Sequence, residues 1–310
     1  MVKTVVAGAI NWDVNLFVDR FPAKGGEVVV RQITHVPGGK AGNVAVGAAR
    51  LLGPNQAAIF GAVGKDYVGS EQVRIFKEEG VDVTGLKIAE TVESGHAYIV
   101  IEEKGENIIH TYPGANATIT PADMDDPVRR QIIAGSSVVT IMDPPFETSL
   151  KLAKDARKLR KRIAWDPGVK SRMGADSFKR LLEIVDYLFV NESEMEHLTG
   201  TRNRNSAIRS LMTINKRLKV VAKLGARGSI LYSGNEKILS PALDLKSLGM
   251  KVVNTVGCGD AFLGAFVAAL VEGRTDSEAL KWGDCAGSLK ATRAETRGGP
   301  DKRTLLRYVR

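Results

Sequence analysis

The densest chemical signal lies at residues 254–266, which read Asn-Thr-Val-Gly-Cys-Gly-Asp-Ala-Phe-Leu-Gly-Ala-Phe. Phe262 and Phe266 stand four apart, on one face of a helix predicted over 260–271. The amides of Gly257, Cys258, Gly259 and Asp260 fall at that helix's N-terminus, where the first N–H groups have no partner within the helix. Such donors, aligned with the helix dipole, suit an anion, and a phosphoryl group in transfer is one. Asp260 stands where that anion would sit. A carboxylate there makes sense as the base that takes the proton from an attacking hydroxyl; the alternative is an N-cap on a buried helix.

A second glycine-rich segment, Pro-Gly-Gly-Lys-Ala-Gly-Asn at 37–43, leads into a helix predicted over 43–52. Its glycines let a small polar ligand approach the backbone, with Lys40 and Asn43 pointing at it. Neither Gly39-Lys40 nor Gly64-Lys65 has the spaced upstream glycine and following Ser or Thr of a Walker A loop. Gly8-Ala9-Ile10 is no dinucleotide fingerprint either. These absences argue against a P-loop ATPase and a standard dinucleotide dehydrogenase.

Cys258 and Cys285 form no paired-ligand spacing and no disulfide framework, which fits a reduced cytoplasmic compartment. The four histidines are scattered, so no dedicated zinc site is expected. A net charge of +9 suits nucleic acid or anionic substrates equally well. The positive residues are spread along the chain, and the dense run at 154–162 looks helical and carries Asp155. A nucleic-acid partner is not expected.

Elements must place these groups. Apolar, β-branched runs at 4–8, 57–62, 137–141, 163–165, 187–190, 220–223 and 229–232 read as strands. Helical patterns at 43–52, 69–79, 145–159, 176–185, 192–199 and 260–271 alternate with them, the signature of a parallel sheet wound with helices on both faces. Two stretches, 11–36 and 94–112, break the rhythm with strand-like segments at 27–33, 95–102 and 107–112. They read as a small antiparallel sheet projecting from the core, as a lid over a site or a dimerisation surface. No repeat or linker divides the chain, so 1–310 reads as one α/β domain. The longest clean apolar run, 261–271, falls short of the roughly 18–20 residues a bilayer span needs.

Taken together and in order, these segments resemble the ribokinase family of sugar and nucleoside kinases, the phosphofructokinase-B type. The resemblance rests on Asn11-Trp12-Asp13, on 38–43 with Ala45-Val46-Gly47-Ala48-Ala49, on Asn191-Glu192-Ser193-Glu194, on Lys223-Leu224-Gly225-Ala226-Arg227-Gly228, and on 254–262. It implies a three-layer α/β/α sandwich with a small antiparallel β-lid. The implied reaction moves the terminal phosphoryl of ATP, or alternatively ADP, to a hydroxymethyl group. Asp260 would be the base and Gly257, Cys258 and Gly259 the anion hole. Asp13, Gly39, Lys40, Asn43 and Asp143 would hold the acceptor, Asp143 standing where relatives often use glutamate. Asn191 and Glu194 would organise Mg²⁺ through water, which can coexist with a helix capping box. Lys223, Gly225 and Gly228, with Asn191, would line the nucleotide side.

Two departures from the family pattern stand out. Asn254-Thr255 replaces the usual Asp-Thr, which weakens the electrostatic case for a bound monovalent cation. Cys258 replaces the usual alanine, as a small apolar filler or as a thiol with a lowered pKa. Asp13 and Asn43 suit the vicinal hydroxyls of a furanose, so ribose is the first acceptor expected. A nucleoside stacked on Trp12, His96, His110 and Tyr112, or a sugar phosphate such as ribose 1-phosphate held by Lys170 and Arg172, are the alternatives. A homodimer through the lid is expected.

Overall fold

Nine strands lie side by side in the computed structural model, which describes residues 1–309. Their order is Glu236–Ser240, Ser229–Ser233, Lys219–Lys223, Tyr187–Asn191, Arg162–Trp165, Val138–Ile141, Thr4–Ala7, Ala57–Phe60 and Val81–Asp82. From Lys219–Lys223 onward every neighbouring pair is parallel; the first two strands join antiparallel at one edge.

Alternation along each strand separates two cores. Val6, Ile59 and Val138 face one helical layer, which includes Lys40–Leu52, Cys258–Val271 and Asp276–Ala291. Val5, Phe60 and Val139 face the other, which includes Phe146–Lys158, Glu192–Thr199 and Arg204–Ile214. Covered on both sides, the central strands are buried throughout, as a parallel sheet requires. The three-layer sandwich is therefore present. The helices at 127–135, 204–214, 276–291 and 302–306 had no counterpart in the sequence reading, and the helix predicted over 176–185 is broken into Gly174–Ser177 and Lys179–Leu182.

A second sheet has four strands in the order Gln32–Gly38, Asn11–Phe17, Gly95–Ile101, Asn107–Tyr112. It is mixed rather than antiparallel, because Asn11–Phe17 runs parallel to Gly95–Ile101. The strand expected at 27–33 lies instead at Gln32–Gly38. Its partner ends at Phe17, opposite Gln32, so the apolar run Val28-Val29-Val30 has nothing to pair with. No helix among the described residues is long and apolar enough to cross a membrane.

Candidate active site

Five neighbouring parallel strands deliver polar groups at or just beyond their carboxyl ends. Gly8 follows Thr4–Ala7, Asp143 follows Val138–Ile141, and Asp166 follows Arg162–Trp165, while Asn191 and Lys223 end their own strands. The carboxyl edge of an open α/β sheet is where ligands bind, because the loops there converge while the strands stay rigid. Two helix N-termini meet this edge, those of Lys40–Leu52 and Cys258–Val271.

Gly257 caps the second of these helices with φ 84°, in the left-handed region, and no side chain caps the helix. A Cβ at Gly257 would strike the backbone oxygen of Thr296, so only glycine fits both the conformation and the space. The first-turn amides of Gly259 and Asp260 are left open to an anion, as their spacing predicts. Lys223 Nζ lies 3.7 Å from where a Gly259 Cβ would stand, which places an ammonium group at the same spot.

Asp260 accepts a hydrogen bond of 2.8 Å from Asn43 Nδ2. Burial pushes its pKa up to about 6, against the pull of Lys40 and the Asn43 bond. That value suits a group that must be ionised near neutral pH yet still accept a proton. Asn43 Oδ1 in turn accepts from Arg297 Nε at 3.1 Å. The Asn43 side chain thus links Asp260 to Arg297, beside the acceptor role expected for it.

Asp13 is buried, and burial raises its pKa to about 7, with Arg297 lowering it and Asp260 raising it further. Its carboxylate stands against Gly38, where any side chain would collide with it. Asp143 Oδ1 accepts from the amide of Ala9 at 2.8 Å, beside Gly8. Gly39 caps the helix Lys40–Leu52 and a Cβ there would come within 2.5 Å of Ala9 O, so the acceptor loop and the first strand's exit are in contact.

Lys40 reaches two carboxylates. Its Nζ lies 3.7 Å from Asp166 Oδ1 and 3.8 Å from Glu194 Oε1, and the Asp166 charge holds its pKa above the ordinary lysine value. Lys223 donates to the other Asp166 oxygen at 2.6 Å. Burial works to raise the Asp166 pKa, but the two lysines prevail and hold it below the ordinary range. Asp166 therefore orients two cations at the mouth of the amide cluster.

Asn191 and Glu194 form a reciprocal capping box at 2.8 Å in both directions, at the start of Glu192–Thr199. Among the described residues no group of three or more His, Cys, Asp or Glu is placed to hold a metal directly. A hydrated ion bridged by nucleotide phosphates is compatible with that, since Mg²⁺ keeps several waters and needs one or two carboxylates. Gly225 faces open space, whereas Gly228 is pressed against Ser240 O and serves strand packing. Burial raises the Cys258 pKa, so the thiol is a filler and no activated nucleophile.

Strand register corrects one expectation. Trp12, His96 and Tyr112 are direct cross-strand neighbours, as are Val14, Tyr98 and His110, and alternation puts all of them on the face opposite Asp13. They provide no stacking surface for an acceptor held by Asp13 of the same chain. Lys170 donates to Asp143 O and Pro144 O at 2.9 and 2.5 Å, which leaves it bracing a loop, and Arg172 is exposed.

Asp166 and Arg297 were missed. Asp166 was findable, as the first residue after a buried strand. Arg297 had no local signal, since its partners Gly38, Asn43 and Gln72 are more than two hundred residues away.

Amides at a helix N-terminus, a carboxylate poised at about pH 6 beside them and two flanking lysines define a phosphotransferase that activates a hydroxyl. The chain belongs to the pfkB family of carbohydrate kinases, whose model matches residues 1–303. It is 30% identical over 302 residues to a ribokinase of Lactococcus lactis, spanning 97% of this chain and 95% of the relative. It is 29% identical over 309 residues to an ATP-dependent ribose-1-phosphate kinase of Halopiger xanaduensis, spanning 100% of this chain and 98% of that protein. Among solved structures, Arabidopsis thaliana ribokinase complexed with ribose and ATP is similar at a TM-score of 0.89 and 25% identity, over 100% of this chain and 99% of the other.

Proposed function

We propose that this kinase transfers the γ-phosphoryl of ATP to the primary hydroxyl of a ribosyl sugar, free ribose first. One observation carries the reading: Asp13, Asn43 and Asp260, from three distant segments, meet beside the open amides of Gly259 and Asp260. Asp260 takes the hydroxyl proton as the oxygen attacks. The amides of Gly257, Gly259 and Asp260, with Lys40 and Lys223, hold the phosphoryl oxygens as charge shifts onto them, whereas the Cys258 amide, expected in the same cluster, donates to Thr255 O at 3.2 Å. Asp13 and Asp143 hold the sugar hydroxyls, with Gly39 permitting close approach. Asn191 and Glu194 would hold Mg²⁺ through water, where the ion would supply charge neutralisation to the phosphates. Gly225 borders the nucleotide.

A second reading, ribose 1-phosphate as acceptor, is favoured by Arg297 Nη1, which is buried without a hydrogen-bond partner in a region that also holds Asp13 and Asp260. The likeness to the Halopiger enzyme points the same way. The deciding experiment measures kcat/KM for ribose, ribose 1-phosphate, cytidine and adenosine, with ATP and with ADP, under one set of conditions. Ribose should lead. A tenfold advantage for ribose 1-phosphate would replace the acceptor and leave the kinase standing; no turnover on any pair would overturn the kinase reading itself.

The four-stranded sheet closes over the acceptor in this reading, and its outward face joins a second subunit. Ile33, Tyr98, Ile108 and Tyr112 on that face are all more than 40% exposed, an apolar surface that a partner sheet would cover.

A further inference from the structure

Lys290 lies at the end of the helix Asp276–Ala291 and is fully buried, at 0% exposure. Its Nζ donates to two backbone carbonyls, Asn254 O at 2.9 Å and Arg293 O at 3.3 Å. Among the described residues no carboxylate forms an ion pair with it. A buried lysine without a counter-ion is costly and calls for a reason. Burial lowers its pKa from the ordinary lysine value, with Cys258 and Glu295 pulling the other way.

The two carbonyls belong to the two segments that build the phosphoryl site. One, 254–257, carries Gly257 and leads into the open amides. The other, 293–297, carries Thr296, whose oxygen closes on Gly257, and Arg297, which holds Asn43. Asn254 Nδ2 adds a bond of 2.8 Å to Ala294 O, and Ala291 O accepts from the amides of Val253 and Asn254 at 2.8 and 3.1 Å. Asn254 O, Arg293 O, Ala294 O and Ala291 O therefore each already accept a donor from this chain, which leaves them a poor ligand set for a bound monovalent cation.

We infer that Lys290 is an internal cation, a positioning residue whose ammonium does the work that a bound potassium ion would otherwise do between the 254–257 and 293–297 segments. An ammonium group is a compact point charge with three donors, close to K⁺ in size, and carbonyl oxygens suit either. Asn254 belongs to the same arrangement. An aspartate there could not donate to Ala294 O and would leave a carboxylate in need of a cation. The asparagine brings the donor and Lys290 the charge.

The inference rests on the kinase reading only for its turnover arm. The test compares wild type, Lys290→Ala and the volume-conserving Lys290→Met in tetramethylammonium, potassium and ammonium chlorides at equal ionic strength, by thermal melting and by kcat and KM. Wild type should vary by less than about twofold in kcat across the three salts. The variants should lose about tenfold or more in kcat, with less change in KM, as a displaced amide cluster costs rate. K⁺ or NH₄⁺ should restore several-fold of that loss and raise the variants' melting temperature, which a merely structural lysine would not allow.

Tenfold stimulation of wild type by K⁺ overturns the inference, and this arm stands even if neither variant folds. So does a folded variant that keeps its rate within about twofold, or one that loses it and responds to no cation in either readout. If wild type phosphorylates no sugar in any buffer, the kinase reading fails, and the salt dependence of melting still judges Lys290.

Discussion

The two sheets of this molecule solve opposite problems. The central sheet is covered on both faces, and every polar group it contributes to the site emerges at its carboxyl edge. The four-stranded sheet has one face toward the site, carrying Asp13, and one face toward solvent, and its strand Asn107–Tyr112 is exposed along its whole length. Phosphoryl transfer needs donors fixed to fractions of an ångström, and a close-packed interior supplies that. Enclosing an acceptor needs an element that can move, so it must be less buried. The groups proposed for phosphoryl transfer sit at the edge of the first sheet and on the helix ends packed against it, and the proposed enclosure falls to the second.

The sharpest break of this contrast is at the rigid side. Asp260→Asn keeps an oxygen to accept from Asn43, so the site should stay assembled while the base is lost. We expect kcat to fall by about 10²–10⁴, the range for a general base, with acceptor affinity nearly unchanged. A variant keeping a tenth of wild-type kcat, with chemistry rate-limiting, would refute the assignment.

Gly257→Ala tests whether the amide cluster is as rigid as its packing implies. The alanine must adopt φ near 84° and meet Thr296 O. It should cost about 1–3 kcal/mol of stability, with kcat falling alongside. Stability unchanged within error would show that the loop is free to rearrange.

The pH dependence sharpens the same point. With Asp260 at about 6 in the free enzyme, kcat/KM should fall below that pH by about tenfold per unit, since the protonated form cannot act as base. A limb in the ordinary carboxylate range near 4 would break the reading. Stability should run the other way. Asp260 and Asp13 have raised pKa values, so their favourable contribution is complete below the unfolded carboxylate value and is lost as pH rises through about 6 and 7. Asp260→Asn should therefore melt a few degrees above wild type at pH 8 and close to it at pH 4.

The contrast also explains what was legible in the sequence. Buried parallel strands are short apolar runs, and 4–8, 137–141 and 187–190 were readable on that basis because they are too short for a packed helix and alternate with helical patterns. The helix Cys258–Val271 announced itself through Gly257, Gly259 and Asp260. The four-stranded sheet resisted, because half-exposed strands carry a weak pattern and pairing, rather than the apolar run at 28–30, sets where Gln32–Gly38 begins. Long-range polar partners left no trace at all. Arg297 reaches Asn43, and Lys290 reaches Asn254, only because the fold brings the ends of three helices, Lys40–Leu52, Cys258–Val271 and Asp276–Ala291, together. The resemblance of the motifs supplied the acceptor side that spacing alone left open, but not that Asn43 also bonds Asp260 or that Lys40 also lies beside Asp166.

The smallest expected effects belong to the four-stranded sheet, and they separate its two faces. Register places Ile109 on the Asp13 face, opposite Ile99 and Asn15, and Ile108 on the outward face, opposite Val100. Both are exposed, so neither substitution by aspartate should move the melting of a monomer by more than about 0.5 kcal/mol. Ile108→Asp places a charge in the proposed subunit interface and should turn a dimer into a monomer by light scattering. Ile109→Asp should leave the oligomer intact and raise KM for the acceptor severalfold, with kcat changed less, because it spoils closure and not the base. A wild type that is monomeric would remove the interface. Exchanged phenotypes between the two variants would mean that the sheet faces the site with its other side, which the hydrogen-bond register of Asp13 opposite Val36 and Ala97 forbids unless the sheet is rebuilt on binding.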